Sequence, residues 1–320
     1  MRPPLTEVRP APCRALSLAA VLPALLVTLL ALGACAPRIE LPRYEEAAED
    51  MAAFRQRFVA PPAEGLGVAV RASLLYSTPT KANRTDVQLF GDYDRPLRLD
   101  VRAGLGTMLA LMREDQSGLL AFYPDKSRAY AHSDPVIGAQ LLGLPFPFSL
   151  RDLSLVLSGR FGTLVPDEPA RVRAIPGGGF AFSYDKGPVR LLVIDQYGRP
   201  ERMEGLLSQH FKSQVERDGA AVSGARVWGL AFSGYPEDEG DPVGPAKTLT
   251  LTLPKGDSAV LRVRSLTPRV EPWTAKALTL TLPAGAEFIS LERQAAPAQV
   301  REVITGGGDN GNTPGPAAGN

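Results

Sequence analysis

Residues 96–112, PLRLDVRAGLGTMLALM, contain the pattern that decides the fold. In the first part of this segment, leucine or valine alternates with arginine or aspartate. A period of two is typical of a β-strand with one apolar face. Two glycines then predict a turn, and a second apolar stretch follows. The segment therefore predicts two strands joined by a hairpin loop, in a sheet covered on one side.

The tip of this loop is unusual because its central residue is large and apolar. Leu105 is flanked by Gly104 and Gly106, whereas the tip of a loop normally faces water. Two interpretations remain open. Leu105 projects toward an apolar partner, or it folds back onto the sheet and only caps the hairpin.

Alternating stretches recur along most of the chain. TMLALM and GLLAFYP are apolar on both faces, which predicts strands near a cavity or under a cover. Two copies of LTLTLP, at 249–254 and 278–283, predict two similar strands. The other predicted strands are GVAVRASLLYS, TDVQLFGDYD, GFAFSYD, PVRLLVIDQYG, RPERMEGLLSQHF, ARVWGLAFSG and AVLRVRSL.

Three stretches have helical signals. Residues 44–58 are acidic at the start and basic at the end, which suits the helix dipole. Two short apolar helices, 134–142 and 149–157, interrupt the strands, and each begins at a residue that can cap a helix, Asp134 or Ser149. We predict that their apolar side chains cover the mouth of the sheet; the alternative is a plain second layer on its outside. The side chains concerned are Ile137, Leu141, Leu153 and Leu157.

The N-terminus has the parts of a secretory signal: arginines, an apolar run at 15–34 and small residues before Cys35. LGAC, which ends at Cys35, resembles the bacterial lipobox, whose cysteine becomes the lipidated first residue of the mature protein. The alternative is an uncleaved transmembrane anchor, because the run is roughly long enough to span a bilayer. Pro23 and the small residues before Cys35 argue against an anchor. Ala36, rather than aspartate, follows the cysteine, which by resemblance to proteobacterial lipoproteins implies sorting to the outer membrane.

These signals divide the chain into four parts. We predict a lipoprotein signal peptide at 1–34, a lipidated tether with the N-terminal helix at 35–62, and a sheet domain at 63–293. The last part, 294–320, has little to bury and is predicted to be disordered.

Composition and motifs argue against several function classes. The chain has 320 residues, 44% of them hydrophobic, and a formal charge of +1, which gives no reason to expect nucleic acid. Two cysteines and two histidines make metal or thiol chemistry improbable. No GxSxG, HExxH, CxxC or Walker motif occurs. We therefore predict a protein with no catalytic residues, no metal site and no cofactor.

The order of these parts resembles the LolA/LolB lipoprotein-localisation family. The likeness is best over residues 44–160, where RPLRLDVRAGLGTMLALM looks like a strand, protruding loop and strand. YAHSDPVIGAQLLGLPFPFSLRDLSLVLSGRF looks like the family's helical insertion. After Phe161 the likeness is only of strand order. The resemblance implies a mainly β protein with helices: a half-open antiparallel β-barrel with an N-terminal helix and a two-helix lid.

The resemblance also implies a function. It predicts an outer-membrane lipoprotein that accepts acylated lipoproteins from a periplasmic LolA-like carrier and helps insert them into the membrane. The loop Gly104, Leu105 and Gly106 would then be the membrane-transfer loop. Two alternatives use the same half-barrel: an envelope-assembly lipoprotein that holds a protein partner, and a sensor of lipids or mislocalised lipoproteins. A tightly filled interior would favour assembly, and an open apolar cavity would favour lipid binding.

Overall fold

The computed structural model describes residues 44–59, 66–104, 106–144, 147–207, 227–236, 244–254 and 256–293. They form one sheet of 14 strands in the order β14-β6-β5-β4-β3-β2-β1-β13-β12-β11-β10-β9-β8-β7. The strands are β1 Gly67–Ser77, β2 Ala82–Asp92, β3 Leu97–Arg102, β4 Met108–Asp115, β5 Gly118–Tyr123, β6 Arg128–His132, β7 Arg171–Ala174, β8 Phe180–Ser183, β9 Val189–Ile194, β10 Pro200–Leu206, β11 Val227–Ser233, β12 Thr248–Thr252, β13 Ser258–Arg269 and β14 Glu287–Ser290.

The first three helices lie where the sequence predicts them, and the fourth was not predicted. They are α1 Tyr44–Phe54, α2 Pro135–Leu141, α3 Leu150–Leu157 and the short α4 Ala275–Leu278. A π-helical turn, Arg55–Val59, extends α1. Both predicted caps are confirmed, because the Asp134 carboxylate accepts from the first backbone amides of α2 and the Ser149 hydroxyl accepts from the Asp152 amide. Gly143, just after the end of α2, has a left-handed φ of 71°, which is typical of a glycine that stops a helix.

The sheet surrounds its own core. All fourteen strands direct apolar side chains from one face, the inner face, into or against a single connected core. Helices α1, α2 and α3 contribute to that same core, so they lie on the inner side. Among the described strands, β14 and β7 do not pair with each other, and the sheet stays open. All neighbouring strands are antiparallel except β14 and β6. The predicted fold class, a half-open antiparallel barrel with few helices, is confirmed.

Aromatic rings fill one part of the interior. Phe161, in the loop after α3, lies between the N-terminal helix and β11. Its ring centroid is 6.1 Å from that of Phe54, 5.9 Å from that of Phe58 and 5.5 Å from that of Phe232. The Phe161 amide also donates to the Phe58 carbonyl oxygen, which fixes the two segments together.

The second LTLTLP copy is not a strand, and this prediction was wrong. The first copy contributes β12, but Leu278 ends α4 and residues 279–282 pair with no strand of the described sheet. Leu280 and Leu282 instead pack across the outer face, against Phe122 and Ala129. Alternation predicts an extended segment with one apolar side. Such a segment can pair as a strand within a sheet, or it can lay its apolar side on the face of a sheet, as this one does.

This crossing segment explains the doubly apolar strands. Leu111, Leu120 and Phe122 lie on the outer face beneath it, while Met112 and Tyr123 join the inner core. The prediction that TMLALM and GLLAFYP are strands under a cover is therefore confirmed. The predicted signal peptide and tail lie outside the described residues. Among the described helices, none combines the length and the apolar composition that a membrane crossing requires.

Candidate functional site

Several turns lie side by side at one end of the sheet. Ser77, at the end of β1, pairs with Ala82 of β2 and with Ser258 of β13. Arg102, at the end of β3, pairs with Asp86 in the first half of β2. We call the end that carries the turns 78–81, 103–107 and 253–257 the hairpin end.

A cavity of about 80 Å³ opens beside the hairpin end, between the inner face of β1–β5 and Leu144. Its polar lining residues, Asn83, Thr85 and Asp125, lie near the turns, so they mark its mouth. Most of its wall is apolar and includes Leu74, Tyr76, Val87, Leu99, Val101, Leu109, Ala110 and Met112. An apolar pocket with few polar groups at its opening is typical of a site for an apolar ligand.

The predicted lid residues lie in the core and do not line this cavity. Leu141, Leu153 and Leu157 are buried, and Ile137 is half-buried against the same core. The cavity is covered by Leu144, in the connection between α2 and α3. The structure thus brings the two helices to the inner side of the sheet. Their role as a lid stays a prediction.

A buried carboxylate holds the start of α3. Glu114, on β4, accepts a hydrogen bond from the Arg95 Nε at 2.7 Å and another from the backbone amide of Leu150. Its side chain is fully buried. Burial raises the pKa of this carboxyl above its usual range, outweighing the opposing effects of Arg95 and the backbone amides. Glu114 therefore fixes the start of α3, the helix that follows Leu144 in the chain.

The predicted membrane-transfer loop is an exposed hairpin turn. The Gly106 amide donates to the Ala103 carbonyl oxygen at 2.9 Å, and the Ala103 amide donates to Thr107 at 2.8 Å. A Cβ placed on Gly104 or Gly106 would have no heavy atom within 4 Å, so the turn borders open space. Leu105 itself lies outside the described residues, as does Cys35. The transfer role stays a prediction.

The turn between β12 and β13 repeats this hydrogen-bond pattern. The Gly256 amide donates to the Leu253 carbonyl oxygen, and the Leu253 amide donates to Asp257. Gly256 has a φ of 82°, close to the 83° of Gly106. In sequence, the place of Leu105 is taken here by Lys255, also outside the described residues. The hairpin end thus carries two turns with the same hydrogen-bond pattern. In sequence, the central residue is leucine in one turn and lysine in the other.

Two buried tyrosines have hydroxyls without a hydrogen-bond partner among the described residues: Tyr123 and Tyr184. Tyr123 lines the cavity, and its ring meets the ring of Tyr130 edge-on at 5.7 Å. Burial raises the pKa of the Tyr123 hydroxyl far above its usual value, with smaller contributions from Tyr130 and Asp125. Burial also raises the pKa of Tyr184 to about 12. Both phenols are therefore neutral at physiological pH.

Glu114, Tyr123 and Leu144 were missed as site residues in the sequence. Glu114 left a readable signal: it follows Ala110 and Met112 at a period of two, so it is an acid on the apolar face of β4. No comparable signal marks Tyr123 or Leu144. In the described part of the chain, no group of three or more His, Cys, Asp or Glu side chains could hold a metal ion.

No protein-family model matches the chain, and no curated protein matches it. Several solved structures do match the chain. A LolA superfamily protein from Nitrosomonas europaea is 12% identical, with a TM-score of 0.47, over 73% of this chain and 97% of that chain. An outer-membrane lipoprotein-sorting protein domain from Vibrio parahaemolyticus is 14% identical, with a TM-score of 0.44, over 74% and 97%. The lipoprotein LppX from Mycobacterium tuberculosis is 11% identical, with a TM-score of 0.29, over 71% and 99%.

Proposed function

We propose that this protein is an outer-membrane lipoprotein that binds acylated lipoproteins and helps insert them into the outer membrane, without catalysis. The observation that carries the proposal is the apolar cavity at the hairpin end, between the inner face of the sheet and Leu144. Burying an acyl chain gains about 0.8 kcal/mol per methylene group, so a lipoprotein crossing the periplasm needs an apolar cover.

The size of the cavity sets a condition on this function. Sites for small ligands commonly enclose about 300–1,000 Å³, whereas this cavity measures about 80 Å³. It therefore holds only part of an acyl chain. A longer chain enters only if Leu144 moves away from the sheet. We propose that the insertion with Ile137, Leu141, Leu153 and Leu157 moves with it and acts as the lid.

The remaining parts fit a route from carrier to membrane. Lipidation at Cys35 anchors the chain at the periplasmic face of the outer membrane. A periplasmic LolA-like carrier delivers the cargo to the cavity. The loop of Gly104, Leu105 and Gly106, beside the mouth of the cavity, then contacts the bilayer that receives the acyl chains. The anchor and the loop rest on the sequence around Cys35 and around Gly104–Gly106, and the carrier rests on the resemblance to the lipoprotein-localisation family.

Acyl binding is tested with methyl laurate, which competes against a fluorescent apolar dye. Ala110→Phe places a ring in the cavity wall, and we expect methyl laurate to bind at least about tenfold more weakly. The change conserves apolar character, so its effect on the free energy of unfolding stays within about 1–3 kcal/mol. Ala231→Phe, at an exposed position of β11, is the matched control and retains wild-type affinity. Equal affinity of both variants would contradict binding in this cavity.

Transport is tested by depleting the protein in the bacterium and following lipoproteins between the two membranes. Accumulation of lipoproteins at the inner membrane or in the periplasm supports the proposal. Cys35→Ser removes the acylation site, so the precursor is expected to stay unprocessed and unlabelled by palmitate. Palmitate labelling of this variant in the outer membrane would refute the lipobox.

A second candidate is an envelope-assembly or sensor lipoprotein that uses the same half-barrel to bind a protein or lipid partner. The filled part of the interior, where helices and aromatic rings pack against the inner face, favours the envelope-assembly role. In that case depletion leaves lipoproteins at the outer membrane and disturbs a particular envelope assembly or stress response instead.

A further inference from the structure

The outer face of the sheet is covered in one part and exposed in another. Leu280 and Leu282 of the crossing segment pack on the outer face near β5 and β6. Toward the hairpin end, the outer positions of β1, β2, β3 and β13 carry exposed arginines, each next in sequence to a residue of the inner core or of the cavity wall. We call these residues the arginine face: Arg71, Arg84, Arg102, Arg262 and Arg264.

The strand pairing brings the arginine face together. Ser73 of β1 pairs with Arg262 of β13 on one side and with Asp86 of β2 on the other. Asp86 in turn pairs with Arg102 of β3, and Arg84 lies two residues nearer the turns, diagonal to Arg102. Side chains opposite or diagonal to one another on one face of a sheet are within reach of each other. Four neighbouring strands span about 14 Å, so the arginine face is a broad surface.

The nearby acids leave most of this positive charge unpaired. Asp86 pairs with Arg264 at 2.9 Å. Asp100 is buried in an ion pair with Arg98, and Asp92 accepts a hydrogen bond from the backbone just before α4. Within the described ranges, the other four members of the arginine face form no ion pair. Like charges close together on one face of a sheet are destabilising, so folding alone does not explain the cluster.

We propose that the arginine face lies on the head groups of an anionic membrane, where its guanidinium groups contact lipid phosphates. Arginine suits this contact because its planar group can donate two hydrogen bonds to one phosphate. The inference goes beyond the proposed function, since it needs no acyl chain in the cavity.

Two features at the hairpin end favour a bilayer over an acidic protein. The turn 103–107, which follows Arg102 directly, borders open space. Leu206 and Val227 pair with each other on β10 and β11, level with the turn 253–257, and are 45% and 38% exposed. Exposed apolar side chains at the same end as basic ones are typical of a membrane-binding surface, because apolar burial adds to the attraction of anionic lipids.

The test measures co-sedimentation with vesicles of phosphatidylcholine alone, or of phosphatidylcholine and phosphatidylglycerol in equal parts. The mature chain is prepared without its signal and with Cys35→Ser, so that it keeps every described residue but carries no acyl anchor. We expect it to bind the phosphatidylglycerol vesicles more tightly, and added salt to weaken that binding. Each cation at an anionic membrane surface contributes about fivefold in affinity. The triple variant Arg84→Gln, Arg102→Gln and Arg262→Gln is therefore expected to bind at least about twentyfold more weakly.

The matched control removes the same charge from the far edge of the sheet. Arg171→Gln, Arg173→Gln and Lys186→Gln change exposed residues of β7 and of the β8–β9 turn, and this variant is expected to bind as the wild type does. Asp86→Asn removes the acid within the arginine face and is expected to tighten binding by about the factor that one arginine contributes. All of these positions are exposed or half-buried at the surface, so the unfolding temperatures should stay close to that of the wild type.

Three outcomes would overturn the proposal. Equal losses for the two triple variants mean that net charge, and not the arginine face, governs binding. Equal affinity of the wild type for both kinds of vesicle means that the phosphatidylglycerol charge is not recognised. Binding to neither kind rejects a membrane and points to an acidic protein as the partner of this face. In each case acyl binding stands as a separate question, because none of the altered side chains lines the cavity.

Discussion

The inner face of the sheet has a filled region and a hollow region. In the filled region, Phe54, Phe58 and Phe161 stack between α1 and the strands. In the hollow region, the inner face of β1–β5 is covered by Leu144 and leaves a cavity of about 80 Å³. The two regions belong to one continuous core. The difference shows that space remains where helix and aromatic side chains do not pack against the inner face.

The following variants probe this comparison in order of their expected effect on the free energy of unfolding. Phe161→Ala comes first, because it removes a buried ring from the centre of the filled region. We expect a loss of about 3–5 kcal/mol, measured by denaturant unfolding. Affinity for methyl laurate per folded molecule stays at the wild-type value, since Phe161 does not line the cavity. Phe288→Ala, 60% exposed on the edge strand β14, is the control and changes stability by less than about 0.5 kcal/mol.

Glu114→Gln is next, and its signature is a change in pH dependence. The pKa of Glu114 is raised above its ordinary value of 4.5. Between these two pKa values the folded state binds more protons than the unfolded state, so wild-type stability falls as pH rises through that window. The variant lacks this decline. It also loses charge-assisted hydrogen bonds to Arg95 and Leu150, at about 1.5–3 kcal/mol where Glu114 is ionised.

The dependence of stability on pH separates the titration of Glu114 from the loss of its hydrogen bonds alone. Unfolding curves of both proteins from pH 4 upward, on the order of one curve per half unit, give the difference in slope. Parallel profiles for wild type and Glu114→Gln would show that Glu114 keeps an ordinary pKa, and that burial is not its dominant influence.

Leu144→Ala probes the hollow region. Leu144 is half-buried, so we expect a loss of only about 1 kcal/mol. Methyl laurate should exchange faster, because fewer atoms block the cavity, and stopped-flow displacement of the dye measures this rate. A stability loss as large as that of Phe161→Ala would break the comparison, since it would mean that both regions are packed equally well.

Leu105→Glu is expected to have the smallest effect on stability, within about 0.5 kcal/mol, because its turn borders open space. Delivery of acylated cargo to vesicles should nevertheless be lost, since a carboxylate at the tip resists entry into the bilayer. Lys255→Glu, at the same place in the sequence of the matching β12–β13 turn, is the control and keeps delivery. A clear fall in unfolding temperature for Leu105→Glu would mean that this leucine belongs to the core.

The sequence by itself determined the local elements of this fold. Alternation placed most of the strands, and the capping residues Asp134 and Ser149 placed the starts of α2 and α3. Such signals are readable because each depends on neighbours within a few residues in the chain. The short edge strands β7 and β14 were not predicted; β8 is equally short, but it lies in the longer alternating stretch GFAFSYD.

Only the tertiary structure decided which surfaces these elements share. It separated two identical LTLTLP stretches into the strand β12 and a segment that crosses the outer face. It also joined Glu114 to the start of α3, 36 residues away in the chain, and brought Tyr123 and Leu144 to one cavity. A sequence pattern specifies which side of an element is apolar. What covers that side depends on which distant segment can pack there without leaving polar groups unpaired or space unfilled.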